Sequence, residues 1–294
     1  MRSSETSSAS EAGRAARTAR PTLVTGSVVL VTGAAAGMGE LYARRAAKEG
    51  ARAIALWDLD GPRAEALAAE LSGGETTARA YVVDVSDREA VREAAGRTVA
   101  ELGVPDVLIN NAGIVRGALF WEHDPERDIE LTMRVNTLAP MWLTRELLRA
   151  MLADRGRPKR ILNIASAAGT LANPRMSVYA ASKWAMIGWS ESLRLELARE
   201  GHGHVAVTTF CPSYVSTGMF AGARGPLLTP IMTPVRAARA AWEGMLAGTP
   251  LVLRPWTVKL AMALRGILPT RVWDAIADRV FHVYSSMDRF TGRG

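Results

Sequence analysis

Three polar side chains in the middle of the chain are of the types that move a proton to or from an alcohol. Tyr179 and Lys183 stand four residues apart, and Ser166 precedes the tyrosine by thirteen residues. Residues four apart in a helix share one face, so the phenol and the ammonium would be neighbours. A nearby positive charge lowers a tyrosine pKa from its usual value of about 10. The spacing therefore predicts Tyr179 as a general acid and base, with Ser166 holding a substrate oxygen.

A glycine-rich segment near the start of the chain is typical of phosphate binding. Gly33, Gly37 and Gly39 follow a short apolar run and precede a helix-forming stretch. In such a turn the first glycine permits a sharp bend, the second lets the backbone approach a pyrophosphate, and the third lets the helix pack on the strand. The N–H groups at the start of the helix favour negative charge. The segment, with Ala36 and Met38, predicts a dinucleotide site.

Asp58 indicates which dinucleotide is bound. It closes the next apolar run, 25 residues after Gly33. A carboxylate at this place accepts hydrogen bonds from the adenosine ribose hydroxyls and repels the 2′-phosphate of NADP. Ala36 and Leu59, which flank the site, bring no basic group. The sequence predicts NAD as the cofactor, and the alternative that Asp58 only caps the following helix stays open.

Short apolar runs alternate along the chain with stretches rich in Ala, Leu, Arg and Glu. Continuous apolar runs are typical of strands buried on both faces of a parallel sheet, and the stretches between them have helical patterning. The predicted strands are 27–31, 53–57, 80–83, 107–109, 161–164, 205–208 and 251–253, and the predicted helices are 38–49, 61–71, 87–102, 126–154 and 178–200. This alternation predicts an α/β fold, a doubly wound parallel sheet of about seven strands with helices on both faces.

Composition and charge exclude several other classes of protein. Of the 294 residues, 48% are apolar and 22% are charged, as expected for a folded chain. The net charge of +7 lies mostly at the ends, with +2 in residues 1–25, +4 in residues 254–294 and +1 between them. A nucleic-acid-binding domain concentrates positive charge on its folded face, so no nucleic-acid partner is predicted. The single cysteine, Cys211, excludes a disulfide framework and a four-cysteine metal site, and no metal is predicted.

The two ends of the chain differ from its middle. Residues 1–25 are polar and predicted to be disordered, residues 26–254 form the predicted catalytic domain, and residues 255–294 form a helical extension. The sequence has neither an apolar run of about 18 residues for a membrane span nor a secretory signal. A cytoplasmic location is expected.

The C-terminal extension is amphipathic. Trp256, Leu260, Leu264 and Ile267 repeat at helical spacing, and Pro269 separates them from a second helical segment. Interleaved arginines and aromatic residues would suit peripheral contact with a membrane surface. Packing on a lid or on a partner subunit is the alternative that the pattern leaves open.

With two further motifs, these residues resemble the short-chain dehydrogenase/reductase family. The motifs are Asn110-Asn111-Ala112-Gly113 and the single Asn136, and all stand in the family's order within residues 27–253. The resemblance implies a Rossmann-type domain. It also implies that Asn136 anchors a water in a proton relay, that Lys183 binds the nicotinamide ribose, and that Asn111 stabilises the central strand beside the cofactor.

The same resemblance implies further cofactor contacts. Asp84 would contact the adenine, and the loop after the sixth strand would approach the cofactor. The predicted cofactor-binding residues are Gly33, Ala36, Gly37, Met38, Gly39, Asp58, Asp84, Val85, Asn111, Ala112, Gly113, Tyr179, Lys183, Pro212, Val215 and Thr217.

Three segments narrow the resemblance to the branch of 17β-hydroxysteroid dehydrogenase 11/13-like and retinol dehydrogenase 10-like enzymes. They are Leu56-Trp57-Asp58, 82–87 and Cys211-Pro212 with 215–220, and a long tail after the seventh strand accompanies them. The branch implies a hydrophobic alcohol (steroid, retinoid or lipid-like) or the matching carbonyl as substrate, and the family implies a homodimer or homotetramer. The apolar segment 213–233, interspersed with Gly and Pro, suits a mobile lid. The predicted substrate pocket contains Ser166, Leu171, Met219 and Phe220.

Two other functions are compatible with parts of the sequence. An NADP-dependent carbonyl or 3-oxoacyl reductase would share the motifs, but Asp58 and the long C-terminal extension argue against it. A non-catalytic NAD-binding scaffold at lipid surfaces would not need a catalytic set, and Asn136, Ser166, Tyr179 and Lys183 are all present. An NAD-dependent alcohol dehydrogenase or ketoreductase is therefore the predicted function.

Overall fold

The computed structural model describes residues 23–292, and its strands all belong to one sheet. The strands are β1 (Val28–Thr32), β2 (Ala53–Asp58), β3 (Thr77–Val82), β4 (Val107–Asn110), β5 (Lys159–Ile164), β6 (Val205–Pro212) and β7 (Leu251–Arg254). Within this range the seven strands are parallel, in the order β3-β2-β1-β4-β5-β6-β7. The order reverses between β1 and β4, and ligands of such sheets bind beyond the carboxyl ends of the strands at that point.

Helices cover both faces of the sheet, which confirms the predicted α/β fold. They are α1 (Gly37–Lys48), α2 (Gly61–Leu71), α3 (Arg88–Leu102), α4 (Leu131–Met133), α5 (Ala139–Ala153), α6 (Ser177–Arg199), α7 (Pro234–Leu246), α8 (Trp256–Ile267) and α9 (Thr270–Arg279). One apolar layer packs α1, α2 and α7 on the sheet, and the other packs α3, α5 and α6. The central strands β1 and β4 are buried throughout, as continuous apolar runs require.

The edge strand β3 starts three residues earlier than the predicted strand 80–83. Its exposed Thr77 and Arg79 alternate with the buried Ala78, and the strand pairs with β2 on one side only. The prediction was based on continuous apolar runs, whereas an edge strand with one solvent-exposed face has alternating apolar and polar residues.

The predicted helix 126–154 contains π-helical turns in its first half. Pro125–Glu130 and Arg134–Leu138 are π-helical on either side of the short α4, and the long α-helix of this region, α5, begins at Ala139. Such turns within helices often occur at functional sites. Asn136, a predicted catalytic residue, lies in the second of them.

The C-terminal extension folds back over the segment 213–233, which we call the lid. Pro269 lies between α8 and α9, as predicted. After α9 the chain returns across the lid: the N–H of Leu227 donates to the Phe281 carbonyl (2.8 Å), and the N–H of Thr291 donates to the Ala221 carbonyl (2.9 Å). Among the residues described, no helix combines the length and the apolar character needed to cross a membrane.

The predicted disordered tail falls mostly outside the described residues. Of residues 1–25, only 23–25 are described, and they form a turn in which Val24 is fully buried. Arg157 holds this turn by donating to the carbonyls of Leu23 and Thr25.

Candidate active site

The glycine-rich turn joins β1 to α1 at the carboxyl edge of the sheet. Gly33 and Gly37 have φ of +63° and +60°, a left-handed conformation that favours glycine. A Cβ on Gly39 would lie 1.9 Å from the Gly33 carbonyl oxygen, so only glycine lets α1 start this close to the turn. Ala36, the N-cap residue of α1, provides no side-chain cap. The start of α1 therefore offers backbone N–H groups to an anion, as a phosphate site requires.

Asp58 ends β2 beside this turn, and two backbone groups fix its carboxylate. Its Oδ2 accepts a hydrogen bond from the Ala35 N–H (2.8 Å), and its Oδ1 accepts one from the Asp60 N–H (3.0 Å). Each carboxylate oxygen keeps further capacity for a hydroxyl donor. The alternative that Asp58 caps the next helix is wrong, because Asp60 is the N-cap of α2 and accepts from the Arg63 N–H.

Asn111 connects the turn to the strand on its other side. Its side-chain amide donates to the carbonyls of Thr32 (2.9 Å) and Gly33 (3.1 Å). The Thr32 hydroxyl in turn accepts from the N–H groups of Asn111 and Ala112, each at 3.0 Å. These bonds hold β1 and the loop after β4 together.

Ser166, Tyr179 and Lys183 meet at the carboxyl end of β5, and all three are buried. Ser166 follows β5 directly, and its hydroxyl accepts a hydrogen bond from the Ala168 N–H (3.1 Å). Because the hydroxyl accepts there, its own proton is left to donate, either to the Tyr179 oxygen or to a substrate oxygen. Tyr179 and Lys183 lie one turn apart on α6, with the ammonium nitrogen 5.8 Å from the centre of the phenol ring.

Burial shifts the pKa of both groups on α6. It raises the pKa of Tyr179, and the hydrogen bond with Ser166 acts weakly in the opposite direction. It lowers the pKa of Lys183 to about 8. The sequence predicted that the ammonium would lower the pKa of Tyr179, but Lys183 donates instead to the Ile164 carbonyl (2.9 Å), so desolvation of the phenol outweighs the effect of that charge.

Asn136 stands behind these residues and connects two elements. Its Oδ1 accepts from the Ile114 N–H (2.9 Å), and its Nδ2 donates to the Ile114 carbonyl (2.8 Å) and to the Ser182 hydroxyl (3.1 Å). A Cβ on Gly113 would lie 3.2 Å from Asn136 Oδ1 and 3.6 Å from Lys183 Nζ. The absence of a side chain at Gly113 therefore lets the amide and the ammonium come close to the loop after β4.

One continuous cleft runs from Asp58 to Tyr179 across the carboxyl edge of the sheet. Beside it lies a second, apolar pocket with about 920 Å³ of empty space, its open mouth included. Ser166 and Phe220 line both. The Phe220 ring contacts the rings of Tyr179 (5.8 Å between centroids) and Tyr214 (5.3 Å) edge to face, so it forms the wall between cleft and pocket.

The sequence pattern of the short chain dehydrogenase family matches residues 27–226. This chain belongs to the short-chain dehydrogenase family. Among curated relatives, estradiol 17-beta-dehydrogenase 11 of Pongo abelii is 36% identical over 249 residues, covering 84% of this chain and 81% of the relative. Epidermal retinol dehydrogenase 2 of Mus musculus is 34% identical over 277 residues, covering 92% and 87%. These similarities confirm the predicted branch.

Solved structures of other proteins share the fold. A short chain dehydrogenase/reductase from Burkholderia phymatum in complex with NAD has a TM-score of 0.73 and 25% identity, covering 83% of this chain and 94% of that chain. Blue fluorescent protein from a metagenomic library, in complex with NADPH, has a TM-score of 0.71 and 27% identity, covering 79% and 98%. These two neighbours of this short-chain dehydrogenase were thus solved with different nicotinamide cofactors, NAD in one and NADPH in the other.

Most residues predicted for the cofactor site of this dehydrogenase line the one cleft. Gly39 is the predicted cofactor residue that does not line the cleft, and it acts through the close approach of α1 described above. Asn136, predicted as a catalytic residue, does not line the cleft either. The lining residues are Gly33, Ala36, Gly37, Met38, Asp58, Asp84, Val85, Asn111, Ala112, Gly113, Tyr179, Lys183, Pro212, Val215 and Thr217. The sequence analysis missed Arg63, which lines the same cleft and lies 3.6 Å from Asp60 in an ion pair. Its position in the first turn of α2, three residues after the N-cap Asp60 and close to Asp58, was the feature of the sequence that could have placed it at the cleft.

Of the residues predicted for the substrate pocket, Ser166, Leu171 and Phe220 line the apolar pocket, and Met219 lies on the cofactor side of Phe220. The C-terminal extension of this dehydrogenase supplies much of the remaining wall. The residues concerned are Trp256, Val258, Leu260, Leu264, Trp273, Phe281 and Val283. Packing on the lid, one of the alternatives left open for the extension, is therefore confirmed for this side of α8.

Proposed function

We propose that this short-chain dehydrogenase transfers a hydride between NAD(H) and a hydrophobic alcohol or its carbonyl. One observation carries the proposal: a single cleft places the glycine turn and Asp58 at one end and Tyr179 at the other, with an apolar pocket opening beside Ser166. When bound, the nicotinamide ring supplies the hydride acceptor or donor. The protein contributes orientation, charge and a route for the proton.

Each residue of the catalytic set has a role that follows from its position. In the oxidation direction the Ser166 hydroxyl donates to the substrate oxygen, and Tyr179 takes the hydroxyl proton. The buried Lys183 ammonium stabilises the phenolate form of Tyr179, which accepts this proton and becomes a neutral phenol. The proton leaves towards Lys183 and Asn136, whose amide joins the loop after β4 to α6.

Asp58 supports NAD in preference to NADP. Its fixed carboxylate accepts hydrogen bonds from ribose hydroxyls and repels an additional phosphate. Arg63 is the one observation that favours an NADP-dependent reductase, because it is a basic side chain on the same cleft. Dissociation constants for NADH and NADPH discriminate the two, and tighter NADPH binding would reverse our proposal. Asp58→Ser should weaken NADH binding, and Arg63→Ala should leave it nearly unchanged.

The apolar pocket supports a steroid, retinoid or lipid-like substrate. Its walls are mostly Ala, Leu, Met, Phe and Trp side chains, with Ser166 among the few polar groups, as is typical of sites for apolar ligands. A screen of steroids, retinol and aliphatic alcohols with NAD, followed by nicotinamide absorbance, tests this. Turnover of short polar alcohols alone would contradict it, and absence of any turnover would favour the non-catalytic scaffold.

The cytoplasmic location and the homodimeric or homotetrameric state remain predictions. Cell fractionation tests the first, and sedimentation equilibrium of the full-length protein tests the second.

A further inference from the structure

An exposed apolar face surrounds the mouth of the substrate pocket. It consists of the lid residues Leu227 and Leu228 and of Trp256, Leu260 and Ile267 on α8, and we call it the rim face. Leu228, Trp256 and Ile267 are 67%, 65% and 81% exposed. The rim face is continuous with the site, because four of its five residues also line the apolar pocket. Contiguous exposed apolar surface on a soluble domain marks an interaction site.

Helix α8 is unusual among the helices of the described chain in how little of it is buried. Val258 is its one buried residue, although most of its side chains are apolar. Trp256, Leu260 and Ile267 fall on one side of the helix because they are spaced by four and seven residues. Leu228 is held at a φ of +61°, a costly conformation for leucine, with its side chain directed largely into solvent. Both elements thus present apolar side chains outward around the same opening.

Basic residues outnumber acidic ones on the lid, α8 and α9. These three elements hold five Lys and Arg residues (Arg224, Lys259, Arg265, Arg271 and Arg279) against two acidic residues, Asp274 and Asp278. Lys259 and Arg271, on α8 and α9, are exposed. An apolar helix face bordered by basic residues matches an anionic lipid surface, in which the apolar side chains enter the acyl boundary and the basic ones meet the head groups.

A second copy of the chain is a poorer occupant for the same face. A two-fold interface places one patch against itself. Basic residues would then mostly oppose basic residues, because the five Lys and Arg residues on the lid, α8 and α9 outnumber Asp274 and Asp278. Like charges across an interface are unfavourable.

We infer that the rim face docks on an anionic lipid surface and that the apolar pocket opens onto that surface. A hydrophobic alcohol dissolved in the lipid would then reach Ser166 without crossing water. This route rests on the proposed function, but the docking itself does not require turnover.

The test measures binding of the full-length protein to vesicles, without cofactor or substrate. We expect binding to vesicles of phosphatidylcholine with phosphatidylserine, and much weaker binding to phosphatidylcholine alone. The variant Lys259→Glu/Ile267→Asp/Arg271→Glu changes residues outside the pocket lining and should lower vesicle affinity by at least about tenfold. The control variant Lys48→Glu/Leu195→Asp/Arg199→Glu makes the same charge changes at exposed positions on α1 and α6, and should bind like the wild type.

Three results would overturn the inference: no binding by the wild type, equal binding to neutral vesicles, or equal loss in both variants. Dissociation of an oligomer by the rim variant, with vesicle binding retained, would instead assign the face to a second copy. Turnover of a water-soluble alcohol by the rim variant, measured alongside, separates the two proposals. An inactive wild type that binds vesicles contradicts only the proposed function, and an active wild type that does not bind contradicts only the docking.

Discussion

Burial determines how Tyr179 and Lys183 behave as acids. A phenol with a raised pKa is a weak source of phenolate, so its deprotonation depends on a positive charge held nearby. Lys183 is that charge, and its own pKa of about 8 reflects the cost of keeping an ammonium away from water. Burial thus disfavours the charged form of both groups, and shifted pKa values of this kind are typical of sites that transfer protons.

Removing the phenol oxygen tests the role of Tyr179 directly. In Tyr179→Phe the ring keeps its contact with Phe220, while the proton acceptor is lost. We expect turnover to fall by at least ~100-fold, because general acid–base catalysis contributes about that much or more. The dissociation constant for NADH should stay within about threefold of the wild-type value. Appreciable residual turnover would refute the role, and a parallel loss of NADH binding would indicate a structural effect.

Replacing the buried ammonium should make stability less dependent on pH. The pKa of Lys183 is lower in the folded state than the unfolded value of 10.5, so the unfolded state binds more protons between about pH 8 and 10.5 and stability rises with pH there. Lys183→Met removes this contribution. As the pH rises from about 8 to 10.5, the wild type should gain stability that the variant does not gain. The free energy of unfolding of the variant minus that of the wild type should therefore decrease by on the order of 3 kcal/mol, because each pKa unit corresponds to about 1.4 kcal/mol. Urea unfolding at several pH values measures it, with exposed Lys48→Met as control.

At the level of elements, the cofactor cleft depends on how closely α1 approaches the glycine turn. Gly39→Ala would put a methyl group against the Gly33 carbonyl oxygen, and backbone cannot rotate away as a side chain can. We expect at least about tenfold weaker NADH binding and a loss of stability of about 1–3 kcal/mol from overpacking. In Gly96→Ala on α3 the new methyl group meets open space, so helix propensity should stabilise the protein slightly. Wild-type NADH affinity in Gly39→Ala would contradict the argument.

The elements also show where sequence reasoning works. Buried strands such as β1 and β4 and the turn after β1 carry local signals, namely unbroken apolar runs and glycines at fixed spacing, and they were predicted nearly as found. Thr77 at the start of β3 was missed because an edge strand needs apolar residues on one face only. The π-helical turns around Asn136 were not predicted. The Asn136 side chain there bonds to Ile114 in the loop after β4, and the sequence around Asn136 gives no sign of such a contact.

For the whole molecule, the substrate pocket is the part that sequence alone could not assemble. Its catalytic wall follows from Ser166, but its outer wall joins the lid to residues of α8 and of the segment after α9, which lie well beyond the lid in the sequence. The hydroxyls of Thr229 and Thr257 meet at 3.0 Å, and the Arg224 N–H donates to the Ser286 carbonyl (2.9 Å). The amphipathic pattern of α8 predicted that it packs on something, and only the folded chain identifies the lid as that partner.

This assembly gives a prediction about substrate size. Gly222 lies in the lid with φ of +81°, and a Cβ there would lie 2.0 Å from the Arg289 carbonyl oxygen of the returning C-terminal segment. Gly222→Ala should therefore separate lid and segment and open the pocket, while Tyr179, Lys183 and the glycine turn stay in place. We expect KM for a large apolar alcohol to rise by at least about tenfold, because its contacts with the pocket wall are lost, with kcat/KM for a short alcohol changed much less. Gly201→Ala is the matched control, because Gly201 lies in a remote turn with a similar φ of +74° and open space around the new methyl group. A defect confined to the outer wall should matter more for a substrate that extends further from Ser166. Equal losses of kcat/KM for large and short alcohols would therefore contradict the prediction, because they would show that the lid supports the catalytic residues and not the outer pocket.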